Sequence, residues 1–384
     1  MTGKLKRSLY IAIAAAMVLA VIATPVSADE SVQRFTDVQP GEWYFEEVNA
    51  GAEAGFVLGY GDGTFRPGAD VNRAELVKML LAAAHLTPDS LGASYLHEAT
   101  TYTQSGEAPA DMDGHWLSKQ GWTQVALDFG LILPSDYPDS AFLPNQPATR
   151  CEAAVMIVRM LGLAYPAQSS AEKELPFTDA ETIEPSLRGY VFQAVEAGVL
   201  EGYPDGSFRG EKTISRAEAV SMVIRALSYM ENGIDPEIQA YAEERWTSNG
   251  DPLQIEIPLS VPAQVIDGTV YLPARDVITA NAALYDGRIE WTGWYPQKQQ
   301  IDICYIYPFW FGSGITRYYT GQGEFGDNAY SGFFPVPARL LYGELMIPVY
   351  TPGVDLANLW GEVRWDAETK TVVIPLPERY FPMS

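Results

Sequence analysis

One pattern, kept through three copies, constrains this chain more than anything else in it. "GYGDGTFRPGADVNRAELVKMLL" runs from Gly59 to Leu81. It recurs as "PSDYPDSAFLPNQPATRCEAAVMIV" around Asp139 and Arg150, and as "GYPDGSFRGEKTISRAEAVSMVI" around Asp205 and Arg216. In each copy an Asp lies eleven residues before an Arg, and the Arg is followed by a small residue and then Glu. Such self-similarity is the mark of one supersecondary unit used repeatedly, each copy burying a face against the next.

Each part of the unit has a local job. Asp62-Gly63 and Asp205-Gly206 supply tight turns, because Gly takes a positive φ without steric cost. Phe65, Phe142 and Phe208 follow at the spacing that lets them drop into a core. Asn72, Thr149 and Ser215 are then helix caps, with Glu75, Glu152 and Glu218 three residues on completing capping boxes. Val77, Leu80, Leu81 and Ala84 behind the first cap share one helical face. A further helix over Trp43 to Ala54 is expected to end at Gly55, so one unit reads as helix, Gly-rich loop and capped helix.

Arg73, Arg150 and Arg216 sit at the first helical position, where the helix dipole disfavours a cation by a few tenths of a kcal/mol to about 1 kcal/mol. Something must offset that in every copy. Two partners are open: an external anion held at the helix start, or a nearby Asp of the same copy.

The triplicate "NRAE/TRCE/SRAE", with "F·D" starts at Phe35-Thr36-Asp37 and Phe177-Thr178-Asp179, resembles the S-layer homology repeat of bacterial cell-surface proteins. The resemblance covers about Phe35 to Met230. It implies an all-α pseudo-trimer of helix-loop-helix repeats with ligand grooves between neighbours. It also implies non-covalent anchoring to secondary cell-wall polysaccharide, often pyruvylated, and self-association in a surface layer as a further candidate. Carried onto this chain, the ligand-binding candidates are Arg73, Arg150 and Arg216, with Asp62, Asp205, Gly63 and Gly206 shaping the loops. Trp43 and Trp116 are the candidate sugar-stacking platforms. Ser140 replaces the turn Gly in the second copy, which marks that copy as the candidate to have lost binding. The third has Ser186 where the others have Trp, which predicts a weaker groove.

The expected order is a signal peptide over 1–28, repeats over 35–86, 111–165 and 176–230, and a polar insertion over 87–110. A linker helix over 231–252, opened by Asp235-Pro236, precedes a β-rich α+β domain over 253–384. The signal reading rests on Lys4, Lys6 and Arg7, the apolar run Leu9 to Ala23 and the small residues Val26-Ser27-Ala28, and it leaves no transmembrane anchor after cleavage. In the last third, "VPAQVIDGTVYLPARD" with Trp291 matches "VPARLLYGELMIPVYT" with Trp365. The frame is a hairpin, a short helical stretch and a second strand pair. It resembles the small domain named for its similarity to an N-terminal domain of copper amine oxidases, which carries no copper chemistry. An aromatic-dense stretch from Tyr305 to Phe334 separates the copies and reads as a hairpin face or a docking surface.

A formal net charge of −24 argues against nucleic acid as partner, since a backbone binder needs a broad basic surface. Cys151 stands where the other copies have Ala and reads as a small buried thiol. His85, His97 and His115 are scattered without zinc-ligand spacing, and no G-x-S-x-G elbow occurs. Gly321 to Gly326 fits G-x-G-x-x-G but precedes no helix, so it reads as a loop. No metal, cofactor or catalytic constellation is expected. The alternatives are a wall-glycan hydrolase in the last third, localised by the repeats, or an assembly module there.

Overall fold

The computed structural model describes residues 33–88, 108–244 apart from 165, 166, 168 and 169, and 253–280 apart from 275 and 278. Beyond these it describes 288–295, 300–306, 313–319, 331–333, 339–341, 344–350 and 363–375. The chain divides into two compact units, Met1–Met230 and Glu231–Ser384. Among the described residues no helix is long and apolar enough to cross a membrane. The expected signal peptide, most of the 87–110 insertion and the Gly321–Gly326 loop lie outside the described residues.

Among the described residues of the first unit the α-helices are α1 (Phe45–Glu53), α2 (Arg73–Ala83), α3 (Trp116–Lys119), α4 (Trp122–Asp128), α5 (Arg150–Met160), α6 (Pro185–Glu196) and α7 (Arg216–Glu231). The long second helices α2, α5 and α7 all start on a capping box. Asn72 accepts from the Glu75 amide at 2.8 Å while Glu75 accepts from the Asn72 amide at 3.0 Å. Thr149 with Glu152, and Ser215 with Glu218, repeat the exchange. The first helices end ahead of Gly55, Gly130 and Gly198, which hold positive φ of 83°, 68° and 67°. In the second copy the first helix is broken into α3 and α4 at Gly121, itself left-handed.

The three copies close into a ring of backbone hydrogen bonds. The Val71 amide donates to Ile214 O, the Ile214 amide to Ala148 O, and the Ala148 amide to Val71 O. All three side chains are fully buried, as are Phe65, Phe142 and Phe208. The first two amides of each capped helix, which an isolated helix leaves without partners, also bond to the next copy. Arg73 and Ala74 donate to Gln146 O and Pro144 O, Arg150 and Cys151 to Lys212 O and Gly210 O, and Arg216 and Ala217 to Ala69 O and Pro67 O.

This seam explains the odd cysteine. Two of its joints pair Ala with Pro, while the third pairs Cys151 with Gly210. A Cβ built on Gly210 would meet Cys151 Sγ at 2.5 Å, so the larger thiol is accommodated by the smaller partner. Cys151 is a free, buried thiol, and burial pushes its pKa up to about 12, leaving it inert.

The second unit is built from strands β1 (Ile234–Asp235), β2 (Gln239–Glu244), β3 (Leu253–Glu256), β4 (Ala263–Ile266), β5 (Thr269–Pro273), β6 (Arg288–Tyr295), β7 (Gln300–Ile306), β8 (Ser313–Tyr319), β9 (Ser331–Phe333), β10 (Arg339–Leu341), β11 (Glu344–Tyr350), β12 (Arg364–Asp366) and β13 (Thr371–Pro375). They form three sheets, ordered β1-β4-β5-β11-β10, β12-β13-β2-β3 and β6-β7-β8-β9. The internal repeat is visible as two hairpins in one sheet. In β4–β5, Ile266 faces Thr269 across Asp267 and Gly268, both at positive φ as a type I′ turn requires. In β10–β11, Leu341 faces Glu344, the same two-residue connection, and β5 and β11 pair antiparallel at the centre. Trp291 and Trp365 then lie on β6 and β12, each paired antiparallel with the strand that follows. The side chains of the 305–334 aromatic stretch lie outside the described residues.

The expected linker helix is a correction. Residues 239–244 are a strand, parallel to β13 and antiparallel to β3, and the second unit begins at Glu231 rather than near 253. Ile238, Ala240 and Ala242 are buried in the core with Val372 and Ile374. That period of two shows which reading of "IQAYAEE" prevails once sheet partners are present.

Replacing Gly210 by Pro, the residue in the other two joints, should destabilise the first unit by about 1–3 kcal/mol through overpacking against Cys151. Adding Cys151→Ala should recover at least half of that loss. Urea unfolding of the single and double variants measures the coupling, and additive effects would contradict it.

Candidate ligand grooves

The loop of each copy, from the end of its first helix to its Phe, carries the carbonyls that receive the arginine of the preceding copy. Arg216 donates Nε to Phe65 O and Nη2 to Leu58 O, both at 2.9 Å. Arg150 donates Nε to Phe208 O at 2.9 Å and Nη2 to Glu201 O at 2.7 Å. Arg73 donates Nη1 to Phe142 O at 2.8 Å, and Nε and Nη2 to Glu152 Oε1. Rings cover the guanidiniums: Tyr60 and Phe65 over Arg216, Tyr203 and Phe208 over Arg150, and Tyr137 over Arg73. All three arginines are buried, with 7%, 5% and 8% exposure for Arg73, Arg150 and Arg216.

Thus none of these three arginines bonds to an Asp of its own copy among the described residues. The cation at each helix start is offset by carbonyl oxygens of the neighbouring copy, joined at Arg73 by a neighbour's carboxylate. The own-copy Asp residues do something else. Asp62 accepts from the Thr64 amide and hydroxyl and pairs with Arg66 at 2.9 Å, while Asp205 does the same with Ser207 and Arg209. Gly63 and Gly206 hold φ of 80°, and their carbonyls accept from the Thr36 and Thr178 amides. Ser140 is left-handed at φ 55° like Gly63 and Gly206, but Asp139 is left-handed as well, at φ 54°, unlike Asp62 and Asp205, so the second turn follows a different backbone path.

Sequence reasoning missed one clamp. Asp37 takes the Phe65 and Arg66 amides, one on each carboxylate oxygen, and Asp179 takes those of Phe208 and Arg209. Asp111 does the same with Phe142 and Leu143, in a copy without the "F·D" start. The spacing from this Asp to the turn was the available signal.

A cavity of about 290 Å³ opens beside Arg216. Its walls include Leu58, Tyr60, Glu75, Lys78 and Trp116, so Trp116 of the second copy serves the groove of the first. The Lys78 ammonium lies 5.6 Å from the Trp116 ring and 6.0 Å from that of Trp122. Trp43, at 58% exposure, stands on the surface.

The family model of the S-layer homology domain matches residues 34–77 and 176–220, the first and third copies from their "F·D" starts into the capped helices. Two segments of this chain thus match the S-layer homology domain, together less than a quarter of its length. It is 29% identical to a cellulosome-anchoring protein of Acetivibrio thermocellus over 194 residues, 50% of this chain and 40% of that one. It is 28% identical to cell surface glycoprotein 1 of the same organism over 214 residues, 52% of this chain and 8% of that one. An endoglucanase of Bacillus sp. (strain KSM-635) is 23% identical over 225 residues, 57% of this chain and 22% of the enzyme. The chain thus spans less than half the length of these relatives.

The loop carboxylates set an acid limit. The Thr64 hydroxyl and Arg66 hold Asp62 at about 2, below the usual 3.8, and the Ser207 hydroxyl and amide with Arg209 hold Asp205 there too. Because the folded value is depressed, their stabilisation is complete above about pH 4 and is lost as pH falls through 2. Thermal unfolding followed from pH 5 to 1.5 should decline most steeply in that window, and less steeply in Asp205→Asn. A wild-type profile flat between pH 4 and 2 would contradict the assignment.

Proposed function

We propose that the repeats hold this chain non-covalently at the bacterial cell surface by binding an acidic glycan of the wall. The observation that carries the reading is the pair of segments matching the S-layer homology domain, in one hydrogen-bonded ring with the second copy, residues 111–165, which shares their capping box, Asp clamp and arginine seat. On this reading the middle copy is a third S-layer homology repeat and the unit is a pseudo-trimer. The names of an anchoring protein and a surface glycoprotein among the relatives support the same placement. A cleft with Arg216 and Lys78 in its wall, in a chain of formal net charge −24, favours a local grip on an anion over any broad electrostatic attraction. The fitting ligand is secondary wall polysaccharide whose sugars carry a carboxylate, such as a pyruvate ketal.

The protein is read as non-enzymatic, with the β-rich unit as a displayed or spacer module. One observation favours a second reading, in which the repeats localise a wall-glycan hydrolase: the match to an endoglucanase. The chain covers 22% of that enzyme, so the likeness carries localisation more readily than catalysis.

The test is co-sedimentation of the chain lacking residues 1–28 with wall sacculi, before and after stripping of their secondary polysaccharide. Retention should be lost on stripped sacculi. Equal retention on bare peptidoglycan would contradict the ligand, and release of reducing sugar during incubation would favour the hydrolase.

A further inference from the structure

The three grooves share one plan but differ in what meets the second oxygen of the capping glutamate. One oxygen, Oε2, is always spent on the cap amide. In the second groove, Glu152 Oε1 sits on Nε and Nη2 of Arg73, whose Nη1 is already on Phe142 O. A carboxylate of the chain itself occupies the place an incoming carboxylate would take. Being tethered, it competes at high effective concentration. In the third groove, Glu218 Oε1 accepts from Lys212 Nζ at 3.0 Å and from the Tyr203 hydroxyl at 3.3 Å, and Lys212 also donates to that hydroxyl. The groove's cation, carboxylate and phenol are latched together over Arg150.

The first groove has neither closure. No described residue hydrogen-bonds Glu75 Oε1, and Lys78 pairs with no carboxylate among the described residues. Lys78 follows Arg73 by five positions; the matching residues of the other copies are Val155 and Ser221, so only this groove gains a cation there. The ring of Trp116 forms part of its wall, whereas Ser186 holds the corresponding place for the second groove. The cavity, about 290 Å³, is at the small end of ligand pockets, which run from about 300 Å³. It has room for one terminal sugar residue.

On the anchoring reading above, we infer that the second and third grooves are plugged from within. The chain takes a single acidic sugar residue, in the first groove, where Lys78 selects for the ligand's charge and Trp116 covers its apolar face. Arg73 and Arg150 are then structural, and Arg216 joins Lys78 at the ligand while keeping its two carbonyl bonds.

The test is calorimetric titration of the full chain with a methyl hexoside bearing a 4,6-pyruvate ketal, and with the neutral parent hexoside. The expected result is one equivalent bound, with the neutral parent about tenfold or more weaker. Lys78→Gln should weaken the ketal by about tenfold or more with an unchanged unfolding midpoint, and Lys212→Gln should leave the affinity at the first groove unaltered. Two or three equivalents bound to the wild type, wild-type affinity in Lys78→Gln, or no ketal binding at all would overturn the inference. Sacculus retention of the wild type separates the readings. If it persists alongside any of those outcomes, anchoring stands and the one-groove assignment falls; if it is absent, anchoring itself falls.

Discussion

A guanidinium seated at the start of a helix and bonded to carbonyls of another copy is the contact on which the first unit depends. The helix dipole opposes it by up to about 2 kcal/mol in a buried setting. Hydrogen bonds from a charged donor contribute about 1.5–3 kcal/mol each, and Arg150 and Arg216 each make two, one buried and one part-buried. The hydrogen bonds win, but only when the neighbour is present. An isolated copy would keep the unfavourable helix-start position of its cation and lose the acceptors, so the arrangement selects for the closed set of three. The amide ring through Val71, Ala148 and Ile214 imposes the same condition on the backbone.

Within that ring the copies diverge where the seam allows it. Cys151 packs where Gly210 leaves room, and the second turn, with Asp139 and Ser140 both left-handed, still precedes two amides clamped by Asp111. Glu152 does double service, capping its own helix and holding Arg73 of the preceding copy. Such adjustments leave the framework intact and change only what each groove presents. This is how a repeated scaffold can hold one receptive site and two that serve the fold.

What was legible in the sequence was local. Capping boxes, Asp-Gly turns, helix-ending glycines and the Asp267-Gly268 hairpin all act over two to four residues, and each stands where its spacing put it. The helix dipole argument correctly marked the three arginines as needing partners, yet it could not reach them. Phe65 O lies 151 residues from Arg216, and no local rule connects them. The Asp clamps escaped for a similar reason, with Asp111 lying 31 residues before Phe142 and outside any quoted motif. Residues 239–244 misled because alternating Ala and polar residues suit a helix as well as a strand. Partners brought from 371–375 decided the matter.

These contacts make burial of the arginines a matter of stability before it is one of ligand binding. Arg150 is the cleanest case, since both its bonds go to backbone carbonyls. Arg209, in the third copy, is half exposed on its turn. The most direct measurement compares urea unfolding of the wild type with Arg150→Ala and, as a control, Arg209→Ala. The account predicts a loss of about 3 kcal/mol for Arg150→Ala and under about 1 kcal/mol for the control. Equal stabilities for the two variants would contradict it.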